Sequence, residues 1–327
     1  MKTLRYLVLL MTLTLLVVGT ASVTMAQDQP FAGVTVNILS FAGPQVTEPL
    51  LRRGPDFEAL TGAQIEVTTV PFAELYNAIL TDQTTGTNSY DAFVMSPQWN
   101  ADFVAAGILE DLTERVNNDP DIQWDDIAPS FRNFIPAYNG SIYVIPLDGD
   151  FHMVYYRTEV FEEAIDGVNY APFAAFGGWG GGVSAAADDQ VKEAAYAFFS
   201  YLNQPAQSNV DMTIGASGYN PYRLSQFENL DAWIEAGFSE TAARNYLGAI
   251  EGSLGSENMV LDLSIPGTNR YLQATLDTVV SQYLAGEFTA EEAAQEIFNQ
   301  WNEISNELGR EAQHQAYLPS LGISTTE

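Results

Sequence analysis

Apolar residues in the first third of the chain recur with two different periods, and the periods take turns. Val34, Val36 and Ile38 alternate with smaller or polar groups over residues 33–40, the period-two signature of a strand. Leu50, Leu51, Phe57 and Leu60 follow in a helical segment broken by Gly54-Pro55 and stopped at Gly62. Residues 64–70 predict a second strand, and Phe72, Leu75, Ile79 and Leu80 a second helix. Residues 90–95 predict a third strand and residues 103–112 a third helix with Gly107 inside it. A β-α-β-α-β-α run calls for a parallel sheet with helices on its faces.

The pattern then changes. Residues 117–138 are acidic, aromatic and loop-like. Two β-rich stretches, 141–146 and 151–156, flank a turn at Leu147-Asp148-Gly149-Asp150. A glycine-rich island at 176–182 leads into a short strand expected at 183–187. Asp188 or Asp189 then caps a helix whose apolar face is Val191, Ala194, Ala195, Phe198, Phe199 and Leu202. Only residues 259–263 predict a further strand; the rest of the last third is helical. One helix carries Leu272, Leu276, Val279, Val280 and Tyr283 and stops at Gly286. Thr289 and Glu292 form a capping box that opens another, with Ile297, Trp301, Ile304 and Leu308 on one face and Gly309 at its end. The tail after Leu318 is expected to fray.

The first residues carry a different signal. Lys2 and Arg5 precede an apolar run from Tyr6 to Val18, and Thr24 and Ala26 stand where a signal peptidase reads small residues. Residues 1–26 are therefore expected to be a cleaved secretory signal, the competing reading being an uncleaved anchor helix. Charge narrows the function. Twelve Lys and Arg stand against 42 Asp and Glu, a net of −30, which repels phosphate backbones and anionic membranes. The absence of cysteine excludes disulfides, thiolate nucleophiles and thiolate-held metals. His152 and His314 are the only histidines, so neither a multi-histidine metal centre nor a Ser-His-Asp site is expected. Asp119, Asp121, Asp125 and Asp126 resemble a calcium loop without its central glycine and closing glutamate. No cofactor is expected.

Several short motifs occur in an order that resembles the extracellular solute-binding proteins of ABC transporters, in the group that includes the sugar- and maltose-binding proteins. Phe57-Glu58-Ala59-Leu60-Thr61-Gly62 resembles that family's F-E-x-x-T-G, and Gly107 to Leu112 its G-x-L-x-x-L. Tyr138 to Pro146 resembles Y-x-G-k-x-Y-g-x-P, and Tyr155 to Ala164 the stretch l-Y-Y-n-k-d-l-F-e-e-A. Gly181-Gly182-Val183-Ser184 resembles the return crossing between lobes, and residues 286–293 the closing G-x-x-t-p-e-e-A. The resemblance implies an α/β fold: a periplasmic-binding-protein-like (type II) lobe with a five-stranded sheet. It also implies where the chain departs, because the family's second α/β lobe has no counterpart between Ala164 and Phe176. The expected organisation is a first lobe from 27–160 and 177–230, a reduced and mainly helical second lobe from 161–176 and 231–318, and a flexible tail at 319–327.

Ligands of open α/β sheets sit beyond the carboxyl ends of the strands. That rule selects Phe41, Gln98, Trp99, Asp148, Asp150 and Trp179 as ligand-binding candidates, with Arg223 added as a guanidinium that could fork onto hydroxyls. Sugars need aromatic faces for their C–H sides and planar polar groups for vicinal hydroxyls, and this set holds both. Each residue also has a structural reading. Trp99 could be a capping hydrophobe, the aspartates could be turn formers, Trp179 could lie in an exposed loop, and Arg223 could be one half of an ion pair. The expected function is capture of a sugar or polyol for an ABC permease, in the periplasm or outside the cell, without catalysis. A one-lobed protein-interaction module and a secreted hydrolase are the alternatives. Intact-mass measurement of secreted protein should place the first residue at Gln27 or within a few positions of it, whereas retention of Met1 would show an anchor instead.

Overall fold

Val36, Ile38 and Leu39 are completely buried in the computed structural model, which describes residues 29–151, 174–215, 217–255 and 259–320. In chain order the strands are β1 (Thr35–Phe41), β2 (Gln64–Val70), β3 (Ala92–Met95), β4 (Ala137–Tyr138), β5 (Ser141–Ile142), β6 (Val144–Pro146), β7 (Ala174–Phe176), β8 (Gly180–Val183) and β9 (Met259–Leu261). Five of them form one sheet of order β2-β1-β3-β8-β6. β1 lies parallel to β2, with Thr35 facing Gln64 and Phe41 facing Val70, and parallel to β3, with Ile38 facing Ala92. β8 returns antiparallel between β3 and β6. The remaining pairings among the described residues are two-stranded: β4 with β5, and β7 parallel to β9.

Helices cover the sheet as the periodicity predicts. α1 (Thr47–Thr61) is fixed to the end of β1 by its first residue, whose hydroxyl donates to the Phe41 carbonyl at 2.9 Å and meets Ser40 Oγ at 2.7 Å. It runs unbroken through Gly54-Pro55, where the sequence predicts a break. The amide that Pro55 lacks would have bonded at Leu51, on the solvent side of the helix, and Gly54 lets the helix settle against Ile65. Gly62, at φ +81°, ends it as expected. α2 (Phe72–Thr84) buries Leu75 and Ile79. α3 (Asn100–Ala105) is shorter than the helix predicted over 103–112. Gly107 turns out at φ +69°, and the next residues join the sheet margin, with Glu110 N donating to the Val183 carbonyl at 2.9 Å. α4 (Asp189–Asn203) has Asp188 at its N-cap position and buries Ala194, Ala195, Phe198, Phe199 and Leu202, the face read from its spacing.

One strand expectation needs correction. The returning strand is Gly180–Val183, three residues earlier than the predicted 183–187, so half of the glycine island is sheet. Each glycine there fills a place closed to side chains. A Cβ on Gly180 would overlap Val144 Cγ1, one on Gly181 would stand 2.5 Å from the Phe199 ring, and one on Gly182 would stand 2.9 Å from Leu109 Cδ2. Among the described strands the fifth member of the sheet is β6; of the β-rich stretch 151–156 only Phe151 is described. The expected signal at 1–26, His152, the stretch 161–173 and the tail beyond Ser320 also lie outside the described residues.

After α5 (Pro205–Asp211) and α6 (Glu240–Leu254), the chain passes through β9 into a π-helical segment, Arg270–Asp277, that continues as α7 (Thr278–Leu284). Trp301 donates its indole N–H to the Tyr271 carbonyl at 3.0 Å, serving a backbone acceptor in that widened turn. α8 (Ala290–Leu308) opens with the predicted box, Glu292 N to Thr289 Oγ1 at 3.2 Å and Thr289 N to Glu292 Oε2 at 2.8 Å. α9 (Arg310–Ser320) extends past the point where fraying is predicted. These helices bury Tyr271, Val279, Ala293 and Ile304, but Val280, expected inside, is exposed, as are Tyr283, Leu284 and Phe298. Gly181→Ala should destabilise the protein by ~1–3 kcal/mol in denaturant titration, the range for an overpacked core, and Phe199→Leu in the same chain should restore part of that loss.

Candidate functional site

The carboxyl ends of β1, β3 and β6 meet the start of β8 at one edge of the sheet, and the residues selected by the strand-end rule gather there. Trp179 is the centre of the group. Its backbone is held by the turn after β6: Leu147 N donates to its carbonyl at 2.8 Å, and its own amide donates to Asp148 Oδ1 at 2.5 Å. Gly178, at φ +141°, makes the bend, and a Cβ there would lie 2.7 Å from the Asp148 carbonyl. The half-buried Trp179 ring leans on Phe41, with centroids 4.6 Å apart, and meets Phe72 edge-on at 5.7 Å. Trp99 stands edge-on behind it at 6.1 Å.

Burial divides the aromatic candidates. Phe72 is 43% exposed and Trp179 partly so, while Phe41 is 7% exposed and Trp99 not at all. Trp99 is boxed in by Tyr76 and Phe103, with centroids 5.6 and 5.9 Å away, and has no ring face open to a solute. Its place is behind the platform, as a support for Trp179. Phe72, read from the sequence only as an apolar helix position, belongs to the platform; its place directly after the β2 end was the available signal.

Polar groups border the rings. Gln98, in the turn that follows β3, donates from Nε2 to Asp262 Oδ2 at 3.1 Å. Asp150 accepts from Asn220 Nδ2 at 2.9 Å, and its carbonyl accepts from Gly177 N at 2.9 Å. Asp262 and Asn220 escaped the sequence reading, although Asp262 directly follows β9 and the strand-end rule applies to it too. Asp148 is almost wholly buried, and its Oδ2 has no hydrogen-bond partner among the described residues. Burial drives its carboxyl well above the usual carboxylate range, Asp150 pushes in the same direction, and the Trp179 amide pulls weakly back.

Arg223 does not join this group, and its selection as a ligand residue is corrected. Its guanidinium is fully buried and donates to the Ile122 carbonyl at 2.8 Å, the Gln123 carbonyl at 3.3 Å, Asp126 Oδ2 at 3.2 Å and Asn203 Oδ1. It fastens the acidic loop to α4. Two other carboxylates of that loop are also engaged by side chains. Asp119 takes the hydroxyls of Ser200 and Tyr196, Asp125 pairs with Arg132 at 2.9 Å, and no cluster of three potential metal ligands occurs among the described residues.

A carboxyl whose folded pKa lies above its unfolded value stabilises the fold while it is protonated, and that contribution is lost as pH rises through the folded value. Asp148→Asn keeps an acceptor for the Trp179 amide without the buried charge. Melting curves should therefore show the variant more stable than the parent at about pH 8, with the difference closing toward about pH 4.

Comparison with known proteins agrees with the motifs. Residues 43–168 match the family model described as bacterial extracellular solute-binding protein. An erythritol/L-threitol-binding protein of Mycolicibacterium smegmatis is 27% identical over 160 residues, which cover 44% of this chain and 33% of that protein. The chain thus spans about a third of the length of the curated relatives it matches. A ribitol-bound ABC transporter solute-binding protein of Agrobacterium radiobacter K84 superposes with a TM-score of 0.68 at 17% identity, over 84% of this chain and 98% of the other. Maltose-bound MalE3 of T. maritima gives 0.65 at 14% identity, over 83% and 100%. The fold is that of these binding proteins, and no described helix is long and apolar enough to cross a membrane. In the sequence of residues 43–168, and in fold over most of its length, the chain is thus similar to the bacterial extracellular solute-binding proteins.

Proposed function

We propose that the protein captures a polyol or sugar outside the cytoplasm and hands it to the permease subunits of an ABC import system, doing no chemistry on it. The observation that carries this reading is the partly exposed Trp179 ring, propped on Phe41 beside exposed Phe72 at the carboxyl edge of the sheet. An aromatic face takes up the C–H side of a carbohydrate, while the bordering amides and carboxylates can exchange hydrogen bonds with its hydroxyls. Likeness to proteins named for erythritol and threitol and solved with ribitol supports a small linear polyol, and the maltose-bound neighbour supports a sugar.

The lobe boundaries expected from the sequence, 27–160 with 177–230 and 161–176 with 231–318, remain part of this proposal. A site between a full sheet and the short β7–β9 ladder would be a shallow groove, and closure of two balanced lobes would have little to act on. A second reading, a protein-interaction module, rests on a different observation. Leu284 is 76% exposed and Phe298 62% exposed, on helices with no further layer over them among the described residues.

Thermal-shift titration with erythritol, ribitol and maltose separates the two. A solute at a hundred times its Kd stabilises the native state by ~2.7 kcal/mol, a shift of several degrees. Trp179→Ala should abolish that shift, measured against the variant's own unliganded midpoint. A parent protein whose midpoint none of the three moves would favour the interaction module.

A further inference from the structure

We propose that Asp262, together with Gln98, is the element that selects a ligand by its vicinal hydroxyls; this rests on the polyol reading above. Asp262 comes directly after β9 and Gln98 three residues past the end of β3, so their hydrogen bond of 3.1 Å joins the short ladder to the large sheet across the carboxyl edge. Two further bonds tie the same pair of loops. Ser264 Oγ donates to the Pro97 carbonyl at 3.4 Å, and Gly267 N donates to the two oxygens of Asp102 at 3.0 and 3.2 Å. Asp102 also accepts from Tyr76 OH at 2.8 Å. That end of the junction is anchored by backbone groups. At the Gln98 end the bond joins two side chains.

The carboxylate is also close to the aromatic platform. A Cβ on Gly177 would stand 3.0 Å from Asp262 Oδ2, so the oxygen packs over the backbone two residues before Trp179. A carboxylate accepts from two hydroxyls at once, and a primary amide both donates and accepts. Side by side at the rim of a ring platform, they match a diol whose two oxygens act as donors to Asp262 while one accepts from Gln98. The ligand would then replace the Gln98–Asp262 bond while the Asp102 and Ser264 ties keep the two loops in register. An analogue lacking one of the read hydroxyls would leave a polar group of the pair unpartnered, which makes such a pair selective.

The test measures affinities of the full chain for ribitol and for each monodeoxy ribitol by calorimetry, in the parent, Asp262→Asn and Gly177→Ala. In the parent, removal of at least one hydroxyl should weaken binding about tenfold or more, and Asp262→Asn should reduce that penalty to under about threefold while weakening ribitol itself about tenfold. Gly177→Ala, which crowds the carboxylate without removing it, should weaken ribitol as well. Equal weakening of ribitol and all deoxy analogues by Asp262→Asn would mark a structural role and overturn the inference while leaving the polyol reading intact. A parent that binds ribitol with no preference over its deoxy forms would also overturn it. A parent that binds neither ribitol nor erythritol overturns the polyol reading itself.

Discussion

The close approach of a side-chain-free strand sets the rest of the arrangement. β8 runs between β3 and β6 under α4, and its three glycines meet Val144, Phe199 and Leu109 at distances that exclude a Cβ. Because the strand is so tightly enclosed, the residue before it has little choice of position. Trp179 is delivered to the edge of the sheet, where backbone bonds to Leu147 and Asp148 fix its peptide and leave its ring to meet Phe41 and Phe72. The site therefore depends on packing inside the sheet more than on any contact made at the site.

Electrostatics work in the same inward direction. The chain has only twelve cations against 42 acids, yet several arginines are committed to interior or half-buried junctions. Arg52 and Arg53 of α1 both reach the fully buried carboxylate of Asp211, at 2.9 and 2.6 Å, and so connect α1 to the end of α5. Arg223 gathers the acidic loop onto α4. Forked guanidiniums suit this use because one side chain can satisfy several acceptors at fixed angles. The surface is left with the negative excess, which suits a solute without charge and disfavours an anionic one.

The elements legible in the sequence are those whose hydrophobic pattern has a single period. β1, β2, α2 and α4 declared themselves through Val36 and Ile38, Ile65 and Val67, Leu75 and Ile79, and Phe198 and Phe199. The capping box at Thr289 is a local device and was readable for the same reason. β8 was displaced by three residues because glycine contributes no periodicity; its strand identity is written in Val144, Phe199 and Leu109, far away in the chain. The strand-end rule selected Trp179, Gln98, Asp148 and Asp150, and the fold gathers these residues at one edge of the sheet. It overestimated Trp99, whose enclosure by Tyr76 and Phe103 is a tertiary fact, and it selected Arg223 by chemistry alone, without its place behind the acidic loop. Asp262 escaped because its strand pairs outside the main sheet.

The margins of the large sheet bear on how the protein behaves in a crowd of its own copies. At one margin β2 directs Gln64, Glu66 and Thr68 to solvent, so a negative charge sits in the middle of that strand. At the other, among the described strands, β6 is three residues long and ends in Pro146, which has no amide proton to give a visiting strand. Short, charged or proline-bearing margins are poor templates for intermolecular β-pairing. Fibrillar growth through this sheet is thereby discouraged at both margins, and the chain can be kept concentrated without seeding cross-β aggregates through them.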